Sequence, residues 1–377
     1  MIPPWFPARL EPTAYSLRDT TSRVHQALGR AVAGRVWIAT RMDSLPKRHR
    51  ATIEDVARIA GVSKSAVSRA FTDGASISAK MRIRVEAAAA QLGYRPNLVA
   101  RSLTTRRSAI VGVAMSYMDQ LHAPLLQCLS ERLTEEGLRL LLFRANTRAI
   151  ADRELETLLS YHVDALILTS VKPSDDFTQR CEREGVPLVL INPTNDANHI
   201  STVTGDDHGG GRRVGSHLVQ GGHSNIAFMA GWDTAPTSRL REAGFRSALE
   251  DAGLESTMRD MGDYTFEGGI LAARRLLSGP KMPDAIFCAN DSMACATIDV
   301  ARREFGLTVG RDISIAGFDH EQMSAWPGFD LTTYTLPIPS MVNRTIDLLQ
   351  QLWRDPSDQA KVIVPGELVV RSSTRAL

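Results

Sequence analysis

Beyond Arg107 the chain alternates short apolar runs with amphipathic stretches, and few architectures accept that pattern. The runs fall at 110–114, 138–143, 165–169, 187–191, 225–230, 285–289 and 313–316. Segments such as 124–136, 210–220, 239–252 and 291–304 lie between them with helical spacing. A short, continuously apolar run suits a strand buried on both faces, and a helix between successive strands implies parallel crossovers. The pattern therefore predicts parallel α/β sheets. The 270 residues after Arg107 are enough for two such sheets, with a ligand crevice at the carboxyl ends of the strands and between the lobes. No apolar run approaches the roughly 18 residues of a membrane span, so no membrane partner is expected.

The charge is unevenly spread. The net charge of +2 hides +9 on residues 47–107, where 13 Lys and Arg face 4 Asp and Glu, against −10 on residues 108–377. Such asymmetry points to a basic module for a polyanion fused to a mildly acidic globular body. A basic solvated face is the plain alternative.

The basic stretch has a grammar of its own. Thr52-Ile-Glu-Asp55 is a capping-box-like helix start, with an acid where the motif prefers Glu or Gln. Ile53, Val56, Ala57 and Ala60 follow at helical spacing, and Gly61 ends the helix. Ser63 is an N-cap for a second, short helix that buries Ala66, Val67 and Ala70 and exposes Lys64, Ser65, Ser68 and Arg69. Small residues at Ala57 and Ala66 let the two helices cross closely. Ser78 opens a third helix to about Gln91, with Met81, Val85, Ala88, Ala89 and Leu92 turned inward. Pro96-Asn97 opens another short helix, 97–104, before Arg106-Arg107. Together these give the helix-turn-helix geometry, in which the second helix enters the major groove of DNA. An ordinary helical bundle is the competing reading.

The residues TIEDVARIAGVSKSAVSRAF, followed by SAKMRIRVEAAAAQLGYRPNLVARSL, closely resemble the DNA-binding head and hinge of the lactose-repressor (LacI) family, nearly without gaps. The resemblance implies base-reading roles for Lys64 and Ser65 with Arg69 nearby, and phosphate contacts from Thr52, Ser63 and Ser68. It also implies a hinge helix that orders on DNA, with Leu103 as an apolar wedge in the minor groove beside Asn97 and Ala100. A leucine can unstack a base step, and the kink brings more protein onto the duplex. Without its surroundings Leu103 would read as a core leucine.

HLVQGGHSNIAFMAG, SRLREAGFRSAL, PDAIFCANDSMACA and GRDISIAGFDH extend the resemblance in order, so that it covers about residues 50–375. It implies a core like a periplasmic sugar-binding protein, and it implies where the effector sits. Arg241, in RxxGF, would clamp hydroxyls or a carboxylate with its planar fork. Asn290, in AND, offers donor and acceptor to a diol. Asp319, after Gly317-Phe318, is a hydroxyl acceptor at a strand end. Asn192 stands where the lactose-repressor type carries an acid, Tyr264 where an aromatic stacks on the ligand, and His122 on the loop after the first strand. Trp232 and Trp326 are further stacking residues or structural ones. Each has a bland alternative: a surface ion pair for Arg241, a cap or turn for Asn290 and Asp319.

The resemblance divides the chain into a leader of uncertain status (1–41), a helix-turn-helix unit (50–95), a hinge helix and linker (96–107) and an effector-binding core (108–377). Lobe one covers about 108–204 and 335–362, and lobe two about 205–334 and 363–373. The implied function is a ligand-responsive DNA-binding transcriptional regulator, most often a repressor, switched by a sugar, sugar acid or polyol. A homodimer would match a pseudo-palindromic operator, and no leucine heptad follows GELVVRSSTRAL to build a tetramer. The N-terminal MIPPWFPARLEP lacks the basic start and apolar run of a secretory signal, so the expected location is cytoplasmic, on the bacterial nucleoid. A start near Met42 is expected. Two rival classes are a sugar-transport binding protein, opposed by the fused head, and an NAD-linked or hydrolytic enzyme. For the enzyme, Gly209–Gly211 lacks GxGxxG spacing and follows acidic GDDH, reading instead as a helix start. No catalytic triad or metal motif stands out, so no enzymatic activity, cofactor or metal is expected. Cys128, Cys181, Cys288 and Cys295 have no metal-site spacing and read as reduced, mostly buried residues.

Overall fold

The computed structural model describes residues 51–72, 74–95, 107–115, 122–145, 148–171, 173–193, 200–255 and 258–375. The leader at 1–41 and the hinge positions Asn97, Ala100 and Leu103 lie outside the described residues. The chain divides into two compact units, one ending at Asn97 and one beginning at Leu98.

The first unit holds α1 (Ile53–Ala60), α2 (Lys64–Ala70) and α3 (Ala79–Leu92). The Thr52 hydroxyl oxygen accepts from the Asp55 N–H at 3.3 Å, and the Asp55 carboxylate accepts from the Thr52 N–H at 3.0 Å. This is a complete capping box with Asp in the second role. Gly61 ends α1 in the left-handed region (φ 60°, ψ 43°), where a side chain would be strained. Val56, Val67 and Val85, one from each helix, are fully buried against Ala60, Ala70 and Ala88. Each valine contributes about 1.5–3 kcal/mol. Met81 and Leu92 are only half-buried, at the edge of this core rather than within it.

The second unit contains two six-stranded sheets. The first runs in the order β11-β5-β4-β3-β1-β2 and is parallel throughout. Its strands are β1 (Ile110–Met115), β2 (Arg139–Arg144), β3 (Ala165–Thr169), β4 (Leu188–Ile191), β5 (Ser201–Gly205) and β11 (Lys361–Val364). The second runs β12-β10-β9-β8-β6-β7 and is parallel except for β12, which pairs antiparallel with β10. Its strands are β6 (Ile226–Ala230), β7 (Arg259–Met261), β8 (Ala285–Cys288), β9 (Ser314–Asp319), β10 (Thr332–Thr335) and β12 (Leu368–Val369). The expectation of parallel sheets thus holds with one antiparallel edge.

The helices are α4 (His122–Glu135), α5 (Arg148–Ser160), α6 (Asp175–Glu184), α7 (Asp207–Gln220), α8 (Pro236–Asp251), α9 (Phe266–Leu277), α10 (Asp291–Arg303) and α11 (Ile338–Arg354). The backbone crosses between sheets three times, after Gly205, after Thr335 and after Val364. Each lobe has its own core. Phe228, Phe245, Phe287 and Phe318 lie within that of the second, and Leu129, Ile167, Val189 and Ile346 within that of the first.

Gly209–Gly211 sits in the first turns of α7, capped by the Asp206 carboxylate. The glycines serve packing: a Cβ on Gly211 would lie 2.1 Å from the Arg241 carbonyl oxygen, and one on Gly244 1.9 Å from that of His208. Helices α7 and α8 therefore meet backbone to backbone, which fixes the height at which Arg241 leaves α8.

Among the described residues no helix is long and apolar enough to cross a membrane. The four cysteines are free; Cys181, Cys288 and Cys295 are buried, and burial pushes the Cys181 and Cys288 thiols up to about 12.

Candidate functional site

In the first unit the face of α2 opposite the core is open: Ser63, Lys64, Ser65, Ser68 and Arg69 are all exposed. Two of the sequence-expected phosphate-contacting residues also act as caps. Thr52 caps α1, its hydroxyl donating to Asp55 at 2.8 Å. Ser63 accepts from the Ala66 N–H at 3.2 Å and meets the Ser65 hydroxyl at 2.9 Å. Lys64 pairs with Glu54, and Arg69 donates to the Ser65 carbonyl at 3.3 Å. An exposed pair of this kind is worth little, so Lys64 can leave it for a stronger anion.

In the second unit, Arg241, Asn290, Asp319, Tyr264, Asn192 and His122 all line one cleft of about 840 Å³, its open mouth included. Strand ends from both sheets line it: Thr169 closing β3 and Ser170 after it, Asn192 after β4, Trp232 after β6, Asn290 after β8 and Asp319 closing β9. The backbone at these ends is unusual. Ser170, Asn192, Tyr264 and Asp319 have φ of 55°, 46°, 58° and 99°, and strained non-glycine residues of this kind concentrate where a side chain must be aimed.

Arg241 is the hub. It is 3% exposed; its Nε donates to Asp207 at 2.8 Å, Nη1 to the Ala289 carbonyl at 2.5 Å, and Nη2 pairs with Asp319 at 2.8 Å. Its guanidinium stacks 3.8 Å from the Phe318 ring centroid. Burial works against its charge, but Asp319 and Asp207 outweigh that and hold its pKa above the ordinary guanidinium value. Burial lifts Asp207 above the usual carboxyl range, against the pull of Arg241. The hub ties α7, α8, the turn after β8 and the end of β9 together. The surface ion pair considered for Arg241 is excluded by its burial.

Asn290 is a helix cap that also lines the cleft. Its Oδ1 caps α10 by accepting from Met293 at 3.0 Å, and its Nδ2 donates to the Tyr264 carbonyl at 3.2 Å. The Tyr264 hydroxyl meets that of Thr237 at 3.0 Å, and its ring stands edge-on to Trp232 with centroids 5.5 Å apart. Burial pushes the phenol up to about 12, against the pull of Arg241. Asn192 accepts from the Gly205 N–H at 3.4 Å, clasping the first crossing between lobes. His122 is the first residue of α4 rather than a loop residue; it is buried, with Nε2 3.4 Å from Ser170 Oγ. Trp326 is exposed and does not line the cleft, whereas Trp232 does.

Sequence reasoning passed over Asp207, Glu321 and Asp291. Glu321 lines the cleft and accepts from the Ser292 hydroxyl at 2.9 Å. Asp291 is fully buried beneath it, accepting from the Glu321 N–H at 2.8 Å and the Thr333 hydroxyl at 2.6 Å. Burial drives Asp291 well above the usual carboxyl range, against the Thr333 hydrogen bond. For Asp207 and Glu321 an available signal was their placement, at the crossing GDD and two residues beyond Asp319.

A helix-turn-helix head and a two-lobed core with a polar interlobe cleft, in one chain, define a ligand-responsive DNA-binding transcriptional regulator. The model for bacterial regulatory proteins of the lacI family matches residues 52–97, and that for the periplasmic binding protein-like domain matches residues 216–374. Catabolite control protein A of Priestia megaterium is 31% identical over 86% of this chain and 99% of its own length. The lac repressor dimer bound to operator and the anti-inducer ONPF shares 31% identity and a TM-score of 0.78, over 86% of this chain and 99% of that one. The transcriptional regulator CelR–cellobiose complex shares 29% and a TM-score of 0.65, over 86% and 100%. The chain belongs to the LacI family of bacterial transcriptional regulators.

Proposed function

We propose that the protein is a repressor that binds a pseudo-palindromic operator as a homodimer and is switched by a small sugar, sugar acid or polyol in the interlobe cleft. The observation that carries this reading is the convergence of Arg241, Asp319, Asn290, Tyr264, Asn192 and His122, drawn from distant parts of the sequence, on one cleft. Residues 50–95 read DNA through Lys64, Ser65 and Arg69, with Thr52, Ser63 and Ser68 on phosphates. Residues 96–107 form the hinge, in which Asn97, Ala100 and Leu103 meet the minor groove. The core from 108 onward holds the effector between lobe one (about 108–204 and 335–362) and lobe two (about 205–334 and 363–373). The protein works in the cytoplasm at the nucleoid and has no catalytic role. The lac repressor on its operator and CelR with cellobiose are relatives whose structures hold both kinds of partner.

Closing or opening the cleft changes how the lobes sit on their three crossings, and through them the spacing of two hinges on DNA. Such coupling is reciprocal, so effector and operator must alter each other's affinity by the same factor. Operator titrations with and without a ligand bound to the core test this. An operator affinity unchanged by every ligand that binds the core refutes the switch.

A further inference from the structure

The cleft places one buried cation among several acids. Arg241 has no nitrogen without an acceptor: Asp207, the Ala289 carbonyl and Asp319 take one each. The carboxylates of Asp319 and Glu321 both line the cleft, and Asp207 stands behind Arg241. Position 192 contributes a neutral amide and Tyr264 a neutral phenol. An entering hydroxyl suits these walls, because it donates to a carboxylate and accepts from an amide or guanidinium at once. An entering carboxylate only accepts, so it meets Asp319 and Glu321 as like charges, while the guanidinium's charge is already balanced by Asp207 and Asp319. The corner made by Trp232 and Tyr264, with centroids 5.5 Å apart at 82°, offers apolar surface to the C–H face of a ring.

We propose that this cleft selects an uncharged, ring-forming polyhydroxylated ligand and rejects the corresponding acid, with Glu321 as a specificity-determining residue. The proposal rests on the reading of the cleft as the effector site and narrows it.

Matched pairs test it: glucose with glucuronate, galactose with galacturonate, and cellobiose with cellobionate, titrated calorimetrically into the full-length protein and assayed for their effect on operator affinity. In any pair that binds, the neutral member should bind at least about tenfold tighter, since juxtaposed like charges are strongly disfavoured. Glu321→Gln should narrow that ratio. An acid that binds as well as or better than its neutral partner overturns the proposal and leaves the effector reading standing. Neutral selection with a ratio unmoved by Glu321→Gln removes Glu321 from the assignment. Absence of binding by both members of every pair overturns the effector reading itself, and this proposal with it.

Discussion

Truncating Arg241 tests the central claim about the core, that a buried cation holds four elements in place. In Arg241→Ala the carboxyl groups of Asp207 and Asp319, 4% and 8% exposed, lose their common partner, and the Ala289 carbonyl loses a donor. Removing one member of a buried pair typically costs about 3–5 kcal/mol, because the remaining charge is left desolvated. At roughly 2–4 °C per kcal/mol for a domain of this size, Tm should fall by about 6–20 °C. The loss should also depend on pH. Asp207 already titrates above the usual carboxyl range because of burial, and without Arg241 it rises further. A carboxyl whose folded pKa is raised ionises first in the unfolded chain, so its destabilising effect grows as pH rises above the unfolded value of about 3.9 and through the folded one. The deficit should therefore be largest at alkaline pH and shrink toward pH 5 or so. Thermal melts of wild type and variant across that range, with operator binding measured separately, provide the assay. A deficit below about 1 kcal/mol, the range of an exposed pair, or one that does not vary with pH, would refute the description of Arg241 as a desolvated hub.

Other outcomes follow from the same geometry. Gly211→Ala should cost about 1–3 kcal/mol in chemical denaturation, because its Cβ would meet the Arg241 carbonyl at 2.1 Å; Gly328→Ala, with nothing within 4 Å, should be neutral. Burial chiefly, with Arg375, lowers the pKa of His223, whose Nε2 lies 2.7 Å from Ser314 Oγ. The unfolded chain takes up that proton first, so wild type should lose stability relative to His223→Gln as pH falls through about 6.5; a relative gain on acidification contradicts this. Lys64→Ala or Ser65→Ala should change which bases are preferred, by about 1–3 kcal/mol at one position, whereas a uniform loss across operator variants would make these phosphate contacts. The logarithm of operator affinity should fall linearly with log salt, by about 0.9 in slope for each phosphate neutralised.

The head was legible because its signals are local. A cap at Thr52, a left-handed Gly61 and a cap at Ser63 are decided within a few residues, and the apolar positions between them leave only one face to bury. Six of the second unit's strands matched apolar runs to within a residue or two, and β9 ran three residues past its run. Strands β5 and β10 were missed because they are written in threonine: Thr202, Thr332 and Thr333 are buried, yet hydropathy does not mark them. Their hydroxyls find partners only after folding, as Thr333 does on Asp291 and Thr332 on Thr374.

The sequence by itself determined the alternation that makes two mostly parallel sheets, the charge division between head and body, and the residue types that can meet an effector. Only the tertiary structure decided what those residues do. Asp207 and Asp319 lie 34 residues before and 78 after Arg241 in the chain, and no local pattern says that both will be desolvated against it. Burial and charge pairing depend on what the fold brings within a few ångströms. That is why an arginine expected either to clamp a ligand or to form a surface ion pair became a buried cation held by two carboxylates and a carbonyl.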